Sequence, residues 1–200
     1  MTQPDGDQAR WNRRYARGQA EHREPSSVLV GLDPQLRREG CALDLAGGSG
    51  RNALWLAERG LDVTLSDVSD VALGHARQLA KSRGVGLTTV QRDVVVAGVP
   101  AASDAQPLWD LIVCFNFIDR ALYSRLPEHL QPGGQLLIAH PTVRNTERHA
   151  RPSARFLLDE GELPTLVSGL QVLRCDEGWL DGEHHLALLL AVKSATEAPA

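Results

Sequence analysis

Cysteine is scarce and unclustered in this 200-residue chain: Cys41, Cys114 and Cys175 form no C-x-x-C pair and make an odd total. That argues against a disulfide framework and gives no support to a thiolate metal centre, so no metal ligands are expected. Each cysteine lies in or beside an apolar run, and all three are expected as buried core thiols. Lysine is nearly missing, with Lys81 and Lys193 alone among 21 basic residues. The formal net charge is −4, and no stripe interleaves basic with aromatic residues. A nucleic-acid footprint is normally basic, so no nucleic acid is expected as a partner. No apolar run of signal-peptide or membrane length occurs between Met1 and Pro25, so a cytoplasmic protein with no membrane partner is expected. Internal repeats are absent too, and 42% hydrophobic content over this length suits a single compact core.

What is present is a patterned stretch from Cys41 to Ala72. An apolar run, Cys41-Ala-Leu-Asp44-Leu45, leads into Ala46-Gly47-Gly48-Ser49-Gly50; a helix follows from Arg51 to Arg59 and stops at Gly60. A second run then ends in Ser66-Asp67. Short apolar runs suit buried parallel strands, and glycines let the backbone turn sharply and approach a ligand with no β-carbon in the way. Asp67 stands roughly 20 residues beyond the start of the turn, where an acid accepts hydrogen bonds from ribose hydroxyls. The stretch reads as a cradle for a nucleotide-containing cofactor.

The spacing alone does not choose that cofactor, because Gly48-Ser-Gly50-Arg-Asn-Ala53 also satisfies the dinucleotide fingerprint G-x-G-x-x-G/A. Asp44 discriminates. At roughly 4–6 Å, a carboxylate and a pyrophosphate repel by on the order of 1 kcal/mol or more. S-adenosylmethionine has no phosphate and carries an ammonium and a sulfonium, which an acid under the turn favours.

Leu43-Asp-Leu-Ala-Gly-Gly-Ser-Gly-Arg-Asn-Ala53 followed by Val63-Thr-Leu-Ser-Asp-Val-Ser69 resembles the first two cofactor motifs of class I S-adenosylmethionine-dependent methyltransferases. Arg92-Asp93, Trp109-Asp-Leu-Ile-Val-Cys-Phe115 and Leu130-Gln-Pro-Gly-Gly-Gln-Leu-Leu-Ile138 follow that family in order and spacing. Ala46 replaces the usual first glycine. Within the family, Trp11-Asn-Arg-Arg-Tyr15, Arg51-Asn52 and Phe156-Leu-Leu-Asp-Glu-Gly-Glu-Leu163 are most similar to small tellurite-resistance and thiopurine-type enzymes. The resemblance implies a Rossmann-like three-layer αβα sandwich, with a seven-stranded, mostly parallel sheet and an antiparallel C-terminal edge hairpin. It implies S-adenosylmethionine as cofactor, with S-adenosylhomocysteine as product, held by Asp44, Ala46, Gly47, Gly48, Gly50, Arg51, Asn52, Asp67, Val68, Asp93, Val94, Cys114 and Phe115. Asp93 would accept the adenine amino group, or simply cap a helix. Asn116-Phe117-Ile118 lacks the paired prolines of the family's amino-methylating DNA enzymes.

The expected organisation is a helical lid over residues 1–40, a methyltransferase domain over 41–194 and a disordered tail over 195–200. Trp11 and Tyr15 lie four apart on a helix near Arg10 to Gln19, either a lid on the cofactor or a helix packed on the surface. Pro25 to Arg38 reads as a helix interrupted near Asp33-Pro34. Ser69 and Asp70 offer a cap for a helix ending at Gly84, Leu87 to Gln91 a third strand, and Arg120 to Leu130 a helix before a tight Pro132-Gly133-Gly134 turn. His140 to Arg155 reads as a polar, basic connection, Phe156 to Val167 as a Pro164-interrupted helix. Two strands then flank Asp181-Gly182. Adjacent strand residues point to opposite faces, so His184-His185 reads as a hairpin feature.

Methyl transfer from a sulfonium needs in-line positioning and water exclusion more than acid–base chemistry. A thiolate or metalloid oxyanion needs no base; a hydroxyl or amine does. The candidate catalytic residues are Tyr15, Asn116 and His140, and the candidate substrate contacts are Trp11, Tyr15, Phe117, Arg120 and Arg144. A thiol or metalloid acceptor is the first expectation, in a monomer or homodimer. An O- or N-methylating metabolite enzyme, a non-catalytic cofactor-binding subunit and an NAD-dependent oxidoreductase are the alternatives.

Overall fold

The computed structural model describes residues 6–18 and 24–195. Positions 1–5 and 19–23 of the expected helical lid therefore lie outside the described residues, as does all of the expected tail but Ala195. The chain forms two compact units, one up to Ala102 and one from Ser103. Among the described residues seven strands, β1 to β7 in chain order, lie side by side as β3-β2-β1-β4-β5-β7-β6. This is a Rossmann-like mixed sheet with antiparallel C-terminal strands.

In the first unit, helices α1 (Asp7–Ala16) and α2 (Ser27–Gly31) precede β1 (Cys41–Leu45), α3 (Arg51–Ala57), β2 (Asp62–Asp67), α4 (Asp70–Arg83), β3 (Thr88–Gln91) and α5 (Val94–Ala97). The three strands pair in parallel, with Asp44 beside Leu65 and Asp67 beside Gln91. Ala42, Leu43, Leu45, Val63 and Leu65 are buried, as runs without polar alternation require in a sheet covered on both faces. On α4, Ser69 accepts the Ala72 amide at the N-cap, and Gly84 ends the helix in the left-handed region. The helix expected through Arg38 is shorter. It stops at Gly31, and Asp33–Gln35 forms a 3-10 turn around Pro34, whose ring has no amide to continue an α-helix.

The second unit contains β4 (Trp109–Phe115), α6 (Arg120–Tyr123), β5 (Leu130–Pro141), α7 (Leu163–Leu166), β6 (Gln171–Gly178) and β7 (Leu186–Val192). β4 and β5 are parallel, and β7 runs antiparallel to both β5 and β6. Pro127 breaks the expected Arg120–Leu130 helix into α6 and a 3-10 turn over Leu126–His129. The Pro132-Gly133-Gly134 turn is instead part of β5, where the register against β4 shifts between Trp109 and Leu111. A β-carbon on Gly134 would sit 2.8 Å from the Trp109 carbonyl oxygen, so only glycine fits that irregularity. The expected Phe156–Val167 helix is reduced to α7, since Gly161 at φ 71° interrupts it before Pro164 can open a turn. The cysteine expectation holds for Cys114, which is buried; Cys41 is half-buried and Cys175 is exposed on β6.

Candidate active site

In the first unit the chain leaves β1 through a turn in which Ala46, Gly48 and Gly50 all have positive φ, at 54°, 61° and 80°. Gly47 donates to the Ser66 carbonyl at 3.2 Å, and Gly50 to the Gly47 carbonyl at 3.1 Å. A β-carbon on Gly47 would overlap the Asp44 carboxyl group, lying 2.6 Å from Oδ1; one on Gly48 would overlap the Tyr15 hydroxyl. One on Gly50 would press at 3.0 Å on both Ala76 and Leu65, so this glycine lets α3 and α4 pack closely.

Asp44 is completely buried beneath the turn. Its Oδ2 accepts the Ala53 amide of α3 at 3.0 Å, while Oδ1 is buried with no hydrogen-bond partner. Burial pushes the carboxyl up to about 7, against the opposing pull of the Ala53 amide and the Arg51 guanidinium. Asp67 ends β2 with Oδ2 accepting the Gly48 amide at 2.9 Å and Oδ1 the Ser69 amide at 2.8 Å. Its pKa is also raised by burial, against those amides.

Helix α1 is fastened to the N-terminal end of α4. Asn12 donates from Nδ2 to Asp70 at 2.7 Å, and its Oδ1 accepts from the Ser69 hydroxyl at 2.6 Å. The Trp11 ring lies 6.1 Å from that of Tyr15, and the Arg14 guanidinium stacks on it at 4.8 Å. Tyr15 itself is buried over Gly48, and that burial raises its phenol above the ordinary value, with Asp67 adding to the shift. Asn12 was not among the expected residues, and nothing in its spacing distinguishes it from any polar residue on an exposed helix face. Asn52 is buried on α3, where its Oδ1 accepts the Ser26 amide at 3.0 Å and so holds the start of α2. Val68 is half-buried after β2. Asp93 takes the capping geometry, with Oδ1 accepting the Val95 and Val96 amides at 3.1 and 3.4 Å, and Val94 is buried beside it.

In the second unit Cys114 and Phe115 close β4 as buried residues. Asn116 follows at φ 57°, exposed, with its amide on the Ala139 carbonyl at 3.0 Å; asparagine tolerates this left-handed position better than most side chains. The Phe117 carbonyl accepts the Tyr123 hydroxyl. His140, near the end of β5, is 4% exposed and donates from Nε2 to the Phe156 carbonyl at 2.8 Å. Its Nδ1 is buried without a partner, and burial lowers its pKa to about 4. The Arg120 guanidinium grips Glu162 through Nε at 2.5 Å and Nη2 at 2.8 Å and also reaches the Leu157 carbonyl. Arg144 pairs with Glu147 at 2.7 Å. The structure thus gathers Tyr15, Asp44, the Ala46–Gly50 turn, Arg51 and Asp67 within one unit, and it engages Arg120 and Arg144, both candidate substrate contacts, with carboxylates.

Residues 42–134 match the family model for a methyltransferase domain. The match spans just under half of the chain, and the glycine turn and the strand order agree with it. Residues 42–134 carry a methyltransferase domain of the class I S-adenosylmethionine-dependent kind. Among solved structures, the chain is similar to one tied to the conversion of a disulfide bond into a thioacetal group during echinomycin biosynthesis, with TM-score 0.71, 21% identity and coverage of 96% of this chain and 95% of that one. It is similar to TehB from Haemophilus influenzae at TM-score 0.69 and 19% identity, over 92% of this chain and 67% of TehB. A curated relative, tRNA 5-carboxymethoxyuridine methyltransferase of Escherichia coli K12, is 28% identical over 142 residues, 68% of this chain. The matched stretch spans about half of that relative, 52% of its length.

The cofactor of this domain is S-adenosylmethionine, and the residues fit it. The turn is a cradle that β-carbons would fill, and the orphaned Oδ1 of Asp44 beneath it is a buried acceptor suited to a cationic ligand. Among the described residues no helix is long and apolar enough to cross a membrane.

Proposed function

We propose that the protein methylates a small nucleophile that arrives as an anion, with a thiol or metalloid oxyanion as first choice, acting as a cytoplasmic monomer or homodimer. The bound cofactor supplies a methyl group already activated on its sulfonium. Asp67 would accept from the ribose hydroxyls, Asp44 would counter the positive charge from beneath the turn, and Arg51, Val68, Asp93 and Val94 would complete the cofactor's surroundings. Trp11 and Tyr15 would cover the turn and exclude water.

The observation that carries the acceptor class is His140. Its Nε2 proton is committed to the Phe156 carbonyl, and a pKa of about 4 makes Nδ1 a poor proton acceptor at neutral pH. Such a group can accept a hydrogen bond but does little to deprotonate an alcohol or ammonium. A thiolate or oxyanion needs no such help. Asn116 and Phe117 would orient the acceptor. Arg120 and Arg144 would favour anions only in competition with Glu162 and Glu147.

A second reading rests on the relative whose name specifies carboxymethoxyuridine in tRNA. A carboxylate is also an anion that needs no base, and the −4 charge favours a free small molecule over a tRNA. A screen with methyl-labelled cofactor tests both, offering small thiols, thiopurines, tellurite, selenite, small carboxylates, alcohols, amines and tRNA. Label on a thiol or metalloid supports the first reading, and label on a free carboxylate the second. Transfer only to tRNA, or only to alcohols or amines, would overturn the proposal, as would cofactor binding with no turnover at all.

A further inference from the structure

The connection between β6 and β7 meets the segment after the Val143–Glu147 3-10 turn in a cluster that methyl transfer does not use. One ring nitrogen each of His149 and His184 and a carboxylate oxygen of Glu183 all lie within 4.8 Å of one another. The two imidazoles stack with centroids 4.9 Å apart and planes 19° from parallel. Both histidines are half-buried, and Glu183 is exposed.

Each imidazole already has one nitrogen held by an oxygen. His149 donates from Nε2 to the Glu183 carbonyl at 3.0 Å, and His184 Nδ1 lies 3.0 Å from Asp181 Oδ2. A proton on each of those nitrogens leaves a lone pair on the other, at Nδ1 of His149 and Nε2 of His184. The Asp181 carboxylate is itself oriented, since its Oδ1 accepts the backbone amides of Glu183 at 2.9 Å and His184 at 2.5 Å. A carboxylate or carbonyl behind each histidine is the arrangement that fixes tautomer and ring orientation in metal sites. His185 takes no part, because its Nδ1 pairs with the buried Thr142 hydroxyl at 2.7 Å on the opposite side of the chain.

We propose that His149, His184 and Glu183 form a binding site for a zinc-class divalent cation, with Asp181 supporting His184 and water completing the coordination. Two nitrogens and one carboxylate oxygen are the donor set such cations take with an open fourth position. Bonds near 2.0–2.2 Å place tetrahedral donors roughly 3.3 Å apart, so the cluster contracts by at most about 1.5 Å on binding. The exposed Glu183 side chain supplies that movement. The local charge suits a cation: Asp181 and Glu183 oppose the guanidinium of Arg148, which stacks at 3.5 Å on Trp179 and donates to the Gly182 carbonyl. A bound cation would tie the segment after the 3-10 turn to the β6–β7 connection.

The test is titration of the tag-free 200-residue chain with Co2+, read by its visible ligand-field absorption, and competition by Zn2+ against a chromophoric chelator. One equivalent of Co2+ is expected to bind with a tetrahedral or five-coordinate spectrum and to be displaced by Zn2+. His149→Ala and His184→Ala should each weaken binding by more than tenfold, Glu183→Gln by less, and Asp181→Asn by about 10-fold or more through loss of the supporting carboxylate. His129→Ala, on the Leu126–His129 turn, should leave binding unchanged. Stoichiometric binding that survives both histidine variants, equal loss in His129→Ala, or absence of Co2+ and Zn2+ binding to the wild-type chain at millimolar concentration would each overturn the site. None of these readouts involves methyl transfer, so the site and the enzymatic proposal fail independently.

Discussion

The Tyr15 hydroxyl lies so close over Gly48 that a β-carbon at position 48 would overlap it. Gly48 also has φ 61° and gives its amide to Asp67, so one residue joins the covering helix, the turn and the acid at the end of β2. Gly48→Ala is therefore expected to weaken S-adenosylmethionine binding by at least about tenfold and to add about 1 kcal/mol of backbone strain. Because the clash is with a side chain that can move, Gly48→Ala combined with Tyr15→Ala should cost less than the sum of the two changes. Calorimetric titration of the single and double variants measures this; strict additivity would show that the two residues do not meet.

Asp44 is expected to make cofactor binding depend on pH. Its folded pKa of about 7 exceeds the unfolded 3.8, so the protonated carboxyl stabilises the ligand-free fold fully below 3.8, and that stability is lost as pH rises through 7. The loss amounts to roughly 4 kcal/mol by pH 7 and above. A cationic ligand favours the ionised form. Affinity for S-adenosylmethionine should thus fall by up to about tenfold per pH unit below 7 and level off above it, with Asp44→Asn flat between pH 5.5 and 8. Binding that is equally tight at pH 5.5 and 8 in the wild-type chain would contradict this.

His140 titrates with the opposite effect. Its folded pKa of about 4 lies below the unfolded 6.5, so its stability contribution is complete above 6.5 and is lost as pH falls toward 4. The difference in unfolding free energy between wild type and His140→Gln should shrink by up to about 3 kcal/mol between pH 7 and pH 4. Comparison of denaturant curves isolates this from the opposing Asp44 contribution. The methylation rate on an anionic acceptor should show no step near pH 6.5 attributable to His140, and a step there that vanishes in His140→Gln would identify it as a base.

Ala46 carries φ 54° where the family usually has glycine. A left-handed alanine costs roughly 1–2 kcal/mol, part of which glycine returns through its greater freedom when unfolded. Ala46→Gly should raise the unfolding free energy by about 1 kcal/mol without changing cofactor affinity more than twofold. Destabilisation would mean that the alanine methyl contributes packing greater than the strain.

Much of the first unit was legible because its signals are local. Apolar runs ending in acids, glycines at fixed offsets and the Ser69 cap each specify backbone geometry within a few residues, and the turn, α3 and α4 follow. The second unit was harder to read. Whether the glycines at 133 and 134 end a strand or kink it depends on the Trp109 carbonyl across the sheet, and no local pattern reports that. Likewise, Arg120 and Arg144 look like free anion receptors until Glu162 and Glu147 are placed beside them. Exposure of Cys175 follows from β6 being the edge strand, which is a property of topology and not of its neighbours in sequence.

The central claim is that a buried carboxylate under a glycine turn selects a cationic methyl donor over a phosphate-bearing cofactor. Calorimetry of the wild-type chain at pH 8 with S-adenosylmethionine and, separately, with NADH tests it most directly. Saturable heat with S-adenosylmethionine and none with NADH is predicted; tight NADH binding with no response to S-adenosylmethionine would contradict it.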